Sequence, residues 1–462
     1  MQNNFTRRFI GDKSFYLRVL SISLPIILQN TITNFVDMLD NIMVGRCGTD
    51  QMNGVTIVVQ IMFVFHLCVW GMSCGAGIFT AQFFGKGDHK GVRDTFRAKI
   101  YIVGLITVIG MALCFFAGDT FISAFIHSSN DIGDPVATLD YAHKYMNTMI
   151  VGMIPYAVAM VYSATLRDIG ETALPMKAGI AAVAVNLLLN YLLIFGNWGF
   201  PKLGVVGAGV ATCVSRVVEI LIIVIWTHTN TEKCKFIVGA YSSLKTPPSL
   251  IKNIIIKGLP LGTNETLWSL GLTMLNQSYS LKGLYVVAAL NITSTISNLF
   301  NVVLFAIGEA ISIIVGQLLG ASKNDEAKST ARKMIFLSTV ACVVIGLIMS
   351  LCKDLFPAIY NTEEEVKSLA SYFILITSIF LPLNACIHGC YFTLRSGGKT
   401  VITFLFDSVF IWIFLVPGAA IMTRFTSLSI ELIFLIIKSM DIIKCAIGIA
   451  LVKKGVWIQN IV

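Results

Sequence analysis

Charge is scarce in this chain. Only 13% of its 462 residues are Asp, Glu, Lys or Arg, about half the share of an ordinary soluble domain. Zinc and disulfide frameworks are equally poorly served. The eleven cysteines are scattered with no C-x-x-C pair and read as small apolar fillers. There is no H-E-x-x-H zinc pair and no G-x-S-x-G nucleophile elbow. Gly398-Lys399-Thr400 looks like the end of a phosphate loop, yet Thr393 stands where the earlier glycine is needed and no strand precedes it. These absences argue against an ATP-driven pump or a hydrolase, so no enzymatic activity and no organic cofactor is expected. Low-complexity tracts and strand patterns are also missing. A cleavable signal peptide is not expected, because the first dozen residues are polar and the first apolar run is span-length.

What remains is apolar. Hydrophobic residues make up 56% of the chain, and the mean hydropathy is +0.79, values that a polytopic membrane protein needs. Twelve runs long enough to cross a bilayer lie near residues 15–38, 52–80, 96–117, 138–164, 172–196, 203–227, 251–279, 285–317, 330–352, 366–392, 401–422 and 428–451. The net charge of +9 is no nucleic-acid signal, since the basic residues follow loop parity. Arg7, Arg8, Lys13 and Arg18 share a side with a loop of Lys86, Lys90, Arg93, Arg97 and Lys99, and with Lys233, Lys235 and Lys245 farther on. The opposite side carries acid, including Asp131, Asp134 and Glu363-Glu364-Glu365. Positive charge marks the inside, which predicts both termini in the cytoplasm of a multi-pass protein of the plasma (inner) membrane.

The two halves repeat. Pro25, Gln82 and Gly85 have counterparts at Pro260, Gln317 and Gly320, all at one constant offset. Leu166-Arg167 and Gly170-Glu171-Thr172 have counterparts at Leu394-Arg395 and Gly398-Lys399-Thr400. The polar stretch 228–250, with Pro247-Pro248, then separates an N-lobe (1–227) from a C-lobe (251–462). Gly85-Lys86-Gly87-Asp88 and Gly320-Ala321-Ser322-Lys323 recur after spans two and eight, where glycine would stop each helix in a left-handed cap. Internal repeats of this kind are the architecture of secondary transporters.

Ionisable groups inside spans cost several kcal/mol unless partnered, so each is a functional candidate. Asp37 and Asp40 are spaced i, i+3 on span one, which couples their titrations. Asn186 and Asn190 face one direction at i, i+4 on span five. Glu265 heads a stripe of Ser269, Thr273, Asn276 and Ser280 down span seven, and span eight aligns Asn291, Ser294, Asn298 and Asn301, with Glu309 farther along. Such stripes are expected to line a wet cavity rather than face lipid. Asp407 in span eleven is read as the repeat counterpart of Asn186. His66 and His388 are candidate proton shuttles. Lys438, Asp441 and Lys444, at i, i+3 and i+6, are expected to pair with one another and snorkel.

The chain resembles the multidrug and toxic compound extrusion (MATE) family. The resemblance is carried by Phe35-Val36-Asp37 with Asp40-Asn41-Ile42-Met43-Val44-Gly45, Ala81-Gln82-Phe83-Phe84-Gly85, Leu166-Arg167-Asp168-Ile169-Gly170, Asn186 through Gly196, and Gly204 through Thr212. It implies an all-α membrane fold of twelve transmembrane helices in two six-helix lobes related by a pseudo-twofold along the membrane normal. It also implies cation-coupled export of amphipathic, often cationic, organic compounds; a monomer in the lipid bilayer, with no nucleic-acid partner, is expected. On that resemblance Asp40 is the N-lobe acid, and Asn186, Asn190 and Thr212 surround it in a site for H+ or Na+. The DinF-like branch has aspartate where this chain has Asn190. The NorM-like branch has acids where this chain has Trp268 and Asn384, leaving Glu265 one turn earlier as the C-lobe acid. The alternatives are a lipid-linked oligosaccharide flippase, which would want a more basic cavity, and a receptor without transport.

Overall fold

The computed structural model describes residues 8–125, 134–243 and 245–462, with Asp37 described by its backbone alone. Asp131 therefore lies outside the described residues, and so does the side chain of Asp37. Every regular element among the described residues is helical. We number the long helices α1 (Lys13–Gly45), α2 (Thr49–Lys86), α3 (His89–Ser123), α4 (Pro135–Asp168), α5 (Ala173–Phe195), α6 (Val205–Thr229), α7 (Pro248–Ser280), α8 (Leu284–Gly320), α9 (Asn324–Leu351) and α10 (Glu364–Ser396). The next, α11, runs over Thr400–Phe425. The last, α12, comes in two pieces, Ile430–Ser439 and Asp441–Lys454.

Ten of these helices are long and apolar enough to cross a membrane. The other two depart from the expected uniform spans for visible reasons. Helix α7 carries Lys252, Lys257, Glu265 and many amides and hydroxyls, which lower its hydropathy. Helix α12 breaks at Met440 into pieces of 10 and 14 residues. Helix α11 is also irregular, with π-helical turns at Leu405–Val409 and Ile411–Leu415, a widening that often accompanies functional positions. Prolines interrupt α1, α4, α7 and α10 at Pro25, Pro155, Pro260 and Pro382. Each removes one backbone hydrogen bond from its helix.

The chain forms two compact units. One comprises residues 25–80 and 88–258, the other residues up to 24, 81–87 and 259–462. In the first, α6 packs on α4 and α5, and α3 packs on α4. In the second, α10 packs on α8 and α9 and touches both pieces of α12. Its core includes Leu275, Tyr279, Val286, Phe373 and Phe434, with the Phe373 and Phe434 rings stacked at 4.3 Å.

The expected left-handed glycine cap forms in the first of the two loops and not in the second. Gly85 and Gly320 are helical, and the left-handed positions fall just after them, at Gly87 (φ 80°) and Ser322 (φ 58°). Those two positions are again repeat counterparts. Gly85 and Gly320 serve close packing instead: a Cβ on Gly85 would run into the Gln317 carbonyl, and one on Gly320 into the Gln82 carbonyl.

Candidate functional site

Asp40 lies one turn and a half from the end of α1. Two helices bring amides and a hydroxyl to it. Asn190 Nδ2 donates to Asp40 Oδ1 at 2.7 Å and to Asn186 Oδ1 at 3.0 Å. Asn186 and Asn190 stand one turn apart on α5, so both reach the same carboxylate, and both are buried. Asn186 Nδ2 reaches Thr212 Oγ1 of α6 at 3.4 Å. The sequence-predicted set of Asp40, Asn186, Asn190 and Thr212 is thus one cluster.

Its polarity is unusual. The Asn186 amide lies 3.0 Å from Asp40 Oδ2 and 3.1 Å from Oδ1, and with its nitrogen turned to the carboxylate it donates to both. Asn190 Oδ1 is buried with no hydrogen-bond partner in the structure. Chemically, the cluster can hold a proton on Asp40, with Asn186 accepting it, or a hard cation among carboxylate and amide oxygens.

A second polar chain belongs to the other unit. Glu265 Oε1 accepts from the Tyr391 hydroxyl at 3.3 Å, and Asn264 Nδ2 reaches that hydroxyl at 3.4 Å and Asp407 Oδ2 at 3.0 Å. Ser408 Oγ donates to Asn264 Oδ1 at 2.8 Å. Lys444 Nζ donates to Asp407 Oδ1 at 2.6 Å. The expected trio on α12 is therefore corrected: Lys444 turns inward to Asp407 instead of pairing along its own helix or snorkelling, because it is buried and a buried ammonium needs a counter-charge. His388 lies within electrostatic reach of Asp407, its ring edge-on to Phe305 at 5.1 Å. Asn276 and Asn298 are exposed, Asn301 and Asn384 partly so, and none of the four joins the chain from Glu265 to Lys444. Glu309, also partly buried, sits farther along α8.

The repeat reading of Asp407 is corrected too. The offset of Leu394 from Leu166, applied backwards from Asp407, puts Gly179 rather than Asn186 at its place. Geometry agrees: Asp407 bonds Asn264, and Gly179 abuts Gln29, which precedes Asn264 by the same offset that relates Pro25 to Pro260. Sequence reading missed Asn264 and Tyr391. Asn264 adjoins Glu265 and could have been flagged by its tie to Gln29; Tyr391 gave no signal, because its role depends on α10 meeting α7.

Several of the basic residues near the helix ends are structural. Lys99 is buried within α3, and its Nζ donates to Asp168 Oδ2 at 2.6 Å and Thr165 Oγ1 at 3.2 Å. Arg97 donates to the carbonyls of Gly239, Ala240 and Lys245 and pairs with Asp94 at 3.2 Å. These bonds fasten the segment after α6 to α3. In a span, Arg216 pairs with Glu219 at 2.8 Å, and the His66 and Tyr156 rings lie 4.2 Å apart, tilted at 37°.

The family model MatE matches residues 25–192 and 262–438. A "Probable multidrug resistance protein NorM" from Thermotoga maritima is 26% identical over 419 residues, 89% of this chain and 86% of that protein. A "Probable multidrug resistance protein YoeA" from Bacillus subtilis is 23% identical over 412 residues, 88% of this chain and 86% of the other. A solved structure described as the outward-facing conformation of a multidrug resistance MATE family transporter of the MOP superfamily superposes with a TM-score of 0.85 at 17% identity, over 98% of each chain. Matched in sequence across both repeats, and in fold along nearly its whole length, the chain belongs to the MatE family of multidrug and toxic compound extrusion transporters.

Proposed function

We propose that this chain exports small amphipathic, often cationic, organic compounds across the plasma (inner) membrane in exchange for H+ or Na+. Residues 1–227 and 251–462 act as two lobes in alternating access, with both termini in the cytoplasm. The observation that carries the reading is the convergence of two α5 amides on the Asp40 carboxylate, Asn190 Nδ2 at 2.7 Å and the Asn186 amide at 3.0 and 3.1 Å.

When Asp40 is ionised and holds no cation, the Asn186 amide turns its nitrogen to the carboxylate. When a proton or sodium ion arrives from outside, the amide turns its oxygen inward to share it. Each state binds a different arrangement of α1 and α5, and that difference is what a coupling ion needs to shift a conformational equilibrium. A hundredfold preference corresponds to about 2.7 kcal/mol. Cargo loaded from the cytoplasm leaves on the outer side when the cation binds, and the return step carries the cation in. Glu265 offers a carboxylate to cationic cargo in the other half, and mid-span acids outnumber bases, which disfavours a pyrophosphate-linked lipid as cargo.

The test is efflux of a fluorescent organic cation from proteoliposomes under separately imposed proton and sodium gradients. Wild-type protein is expected to respond to one gradient, which names the ion, and Asp40→Asn to lose that response by at least about tenfold, the equivalent of about 1.4 kcal/mol. Gradient-driven flux that survives Asp40→Asn would move coupling to Glu265 or Asp407. No flux under either gradient would favour the flippase.

A further inference from the structure

Two polar clusters in this chain draw on the same three helices of a six-helix half. In the N-terminal half the first, fifth and sixth helices supply Asp40, then Asn186 with Asn190, then Thr212. In the C-terminal half the corresponding helices supply Asn264 with Glu265, Asp407 with Ser408, and Lys444. The first helix brings an acid in both halves, whereas the fifth brings two amides in one and an acid, Asp407, in the other. The sixth helix makes the larger difference, contributing a neutral hydroxyl in one half and an ammonium in the other.

The ammonium is seated as a bound cation would be. Its side chain is 7% exposed and that of Asp407 14%. Nζ lies 2.6 Å from Asp407 Oδ1, and the second carboxylate oxygen is held by Asn264 at 3.0 Å. The Asn264 oxygen is in turn fixed by Ser408, and the Tyr391 hydroxyl links Asn264 to Glu265. Phe406, within the first π-helical turn, and Phe410, just after it, place their rings 5.6 and 5.9 Å from Nζ, a second attraction for a positive charge. A carboxylate with neighbouring amide, hydroxyl and phenol oxygens is the donor set of a hard monovalent cation, and here its open side is taken by a side chain.

We propose that Lys444 is a tethered cation, occupying on Asp407 the place an alkali cation would otherwise take and closing the C-terminal half to ions from solution. The chain then loads its coupling cation at Asp40 alone. That last count rests on the reading of Asp40 given above; the plugging of Asp407 by Lys444 does not. The physical reason is charge balance. Withdrawing the ammonium strands a buried carboxylate, which is strongly destabilising, and a sodium ion from solution is a ready replacement.

The test is saturable binding of radiolabelled sodium to the purified full-length chain, in an Asp40→Asn background so that the N-terminal cluster is silent. Adding Lys444→Met is expected to raise the stoichiometry by one ion per chain. Adding Asp407→Asn as well should abolish the gain, and Lys444→Arg should give none. No gain in Lys444→Met, or a gain that persists with Asp407→Asn, overturns the proposal. If Lys444→Met yields monodisperse protein only in sodium and not in choline, the dependence is itself the expected result. If it yields none in either salt, Lys444→Gln takes its place, and failure of both variants in sodium counts against the proposal, because solution cations then do not replace the ammonium. Equal sodium binding by wild type and Asp40→Asn would exclude sodium, though not a proton, as the cation at Asp40, and would leave the Lys444 comparison intact.

Discussion

The backbone of Gly85 presses directly on the Gln317 carbonyl, and its repeat counterpart Gly320 presses in the same way on that of Gln82. The repeat visible in the sequence is therefore a reciprocal contact in the fold, made where the ends of α2 and α8 cross. Gln82 is held further, its amide nitrogen donating to the carbonyls of Ser396 and Gln459 at 3.1 and 3.2 Å and its oxygen accepting from the Ile461 amide at 2.9 Å.

From that contact, Gly85→Ala and Gly320→Ala are each expected to destabilise the protein, by about 1–3 kcal/mol, the usual range for overpacking. Because both methyl groups push apart the same crossing, the double variant should cost less than the sum of the singles. Thermal unfolding in detergent measures all three. Strict additivity would show that the two glycines act independently.

The buried pair of Lys99 and Asp168 gives a second expectation. The Lys99 side chain is 0% exposed and that of Asp168 17%, so removing one partner leaves a charge in a dry site. Lys99→Met or Asp168→Leu alone should cost about 3–5 kcal/mol, and the double replacement should recover most of it. Midpoints of denaturation for the singles and the double would check this. A double variant as unstable as the worse single would mean the pair does more than neutralise itself.

A third expectation concerns alkaline pH. Cys234, in the segment that Arg97 fastens to α3, is fully buried, and burial pushes its thiol from 9.0 up to about 11. The folded protein keeps this proton where the unfolded chain has lost it. Stability from this group is thus fully present below about pH 9 and declines as pH rises from 9 toward 11. Cys234→Ala should flatten that part of the stability profile, and Cys234 should resist maleimide at neutral pH until the segment is freed by Arg97→Ala. Rapid labelling of Cys234 with Arg97 intact would refute the packing argument.

The sequence carried much of the architecture. Long apolar runs broken by polar turns leave a chain no soluble alternative, and the constant spacing of Pro25, Gln82 and Gly85 from Pro260, Gln317 and Gly320 announced the duplicated halves. The N-terminal cluster was legible as well. Asn186 and Asn190 share a face by helical periodicity, and the motif around Asp40 named their partner.

Tertiary packing decided the rest, because periodicity fixes which residues share a face of one helix but not which helix meets that face. Lys444 reads equally well as a snorkelling base or as a buried partner, and only the approach of α12 to α11 gives it to Asp407. Tyr391 became a bridge between Asn264 and Glu265 because α10 lies against α7 there. Gly320 read as a helix stop, and the fold made it a point of close approach, since a residue without a side chain looks the same in a sequence whether freedom or space is what the position needs.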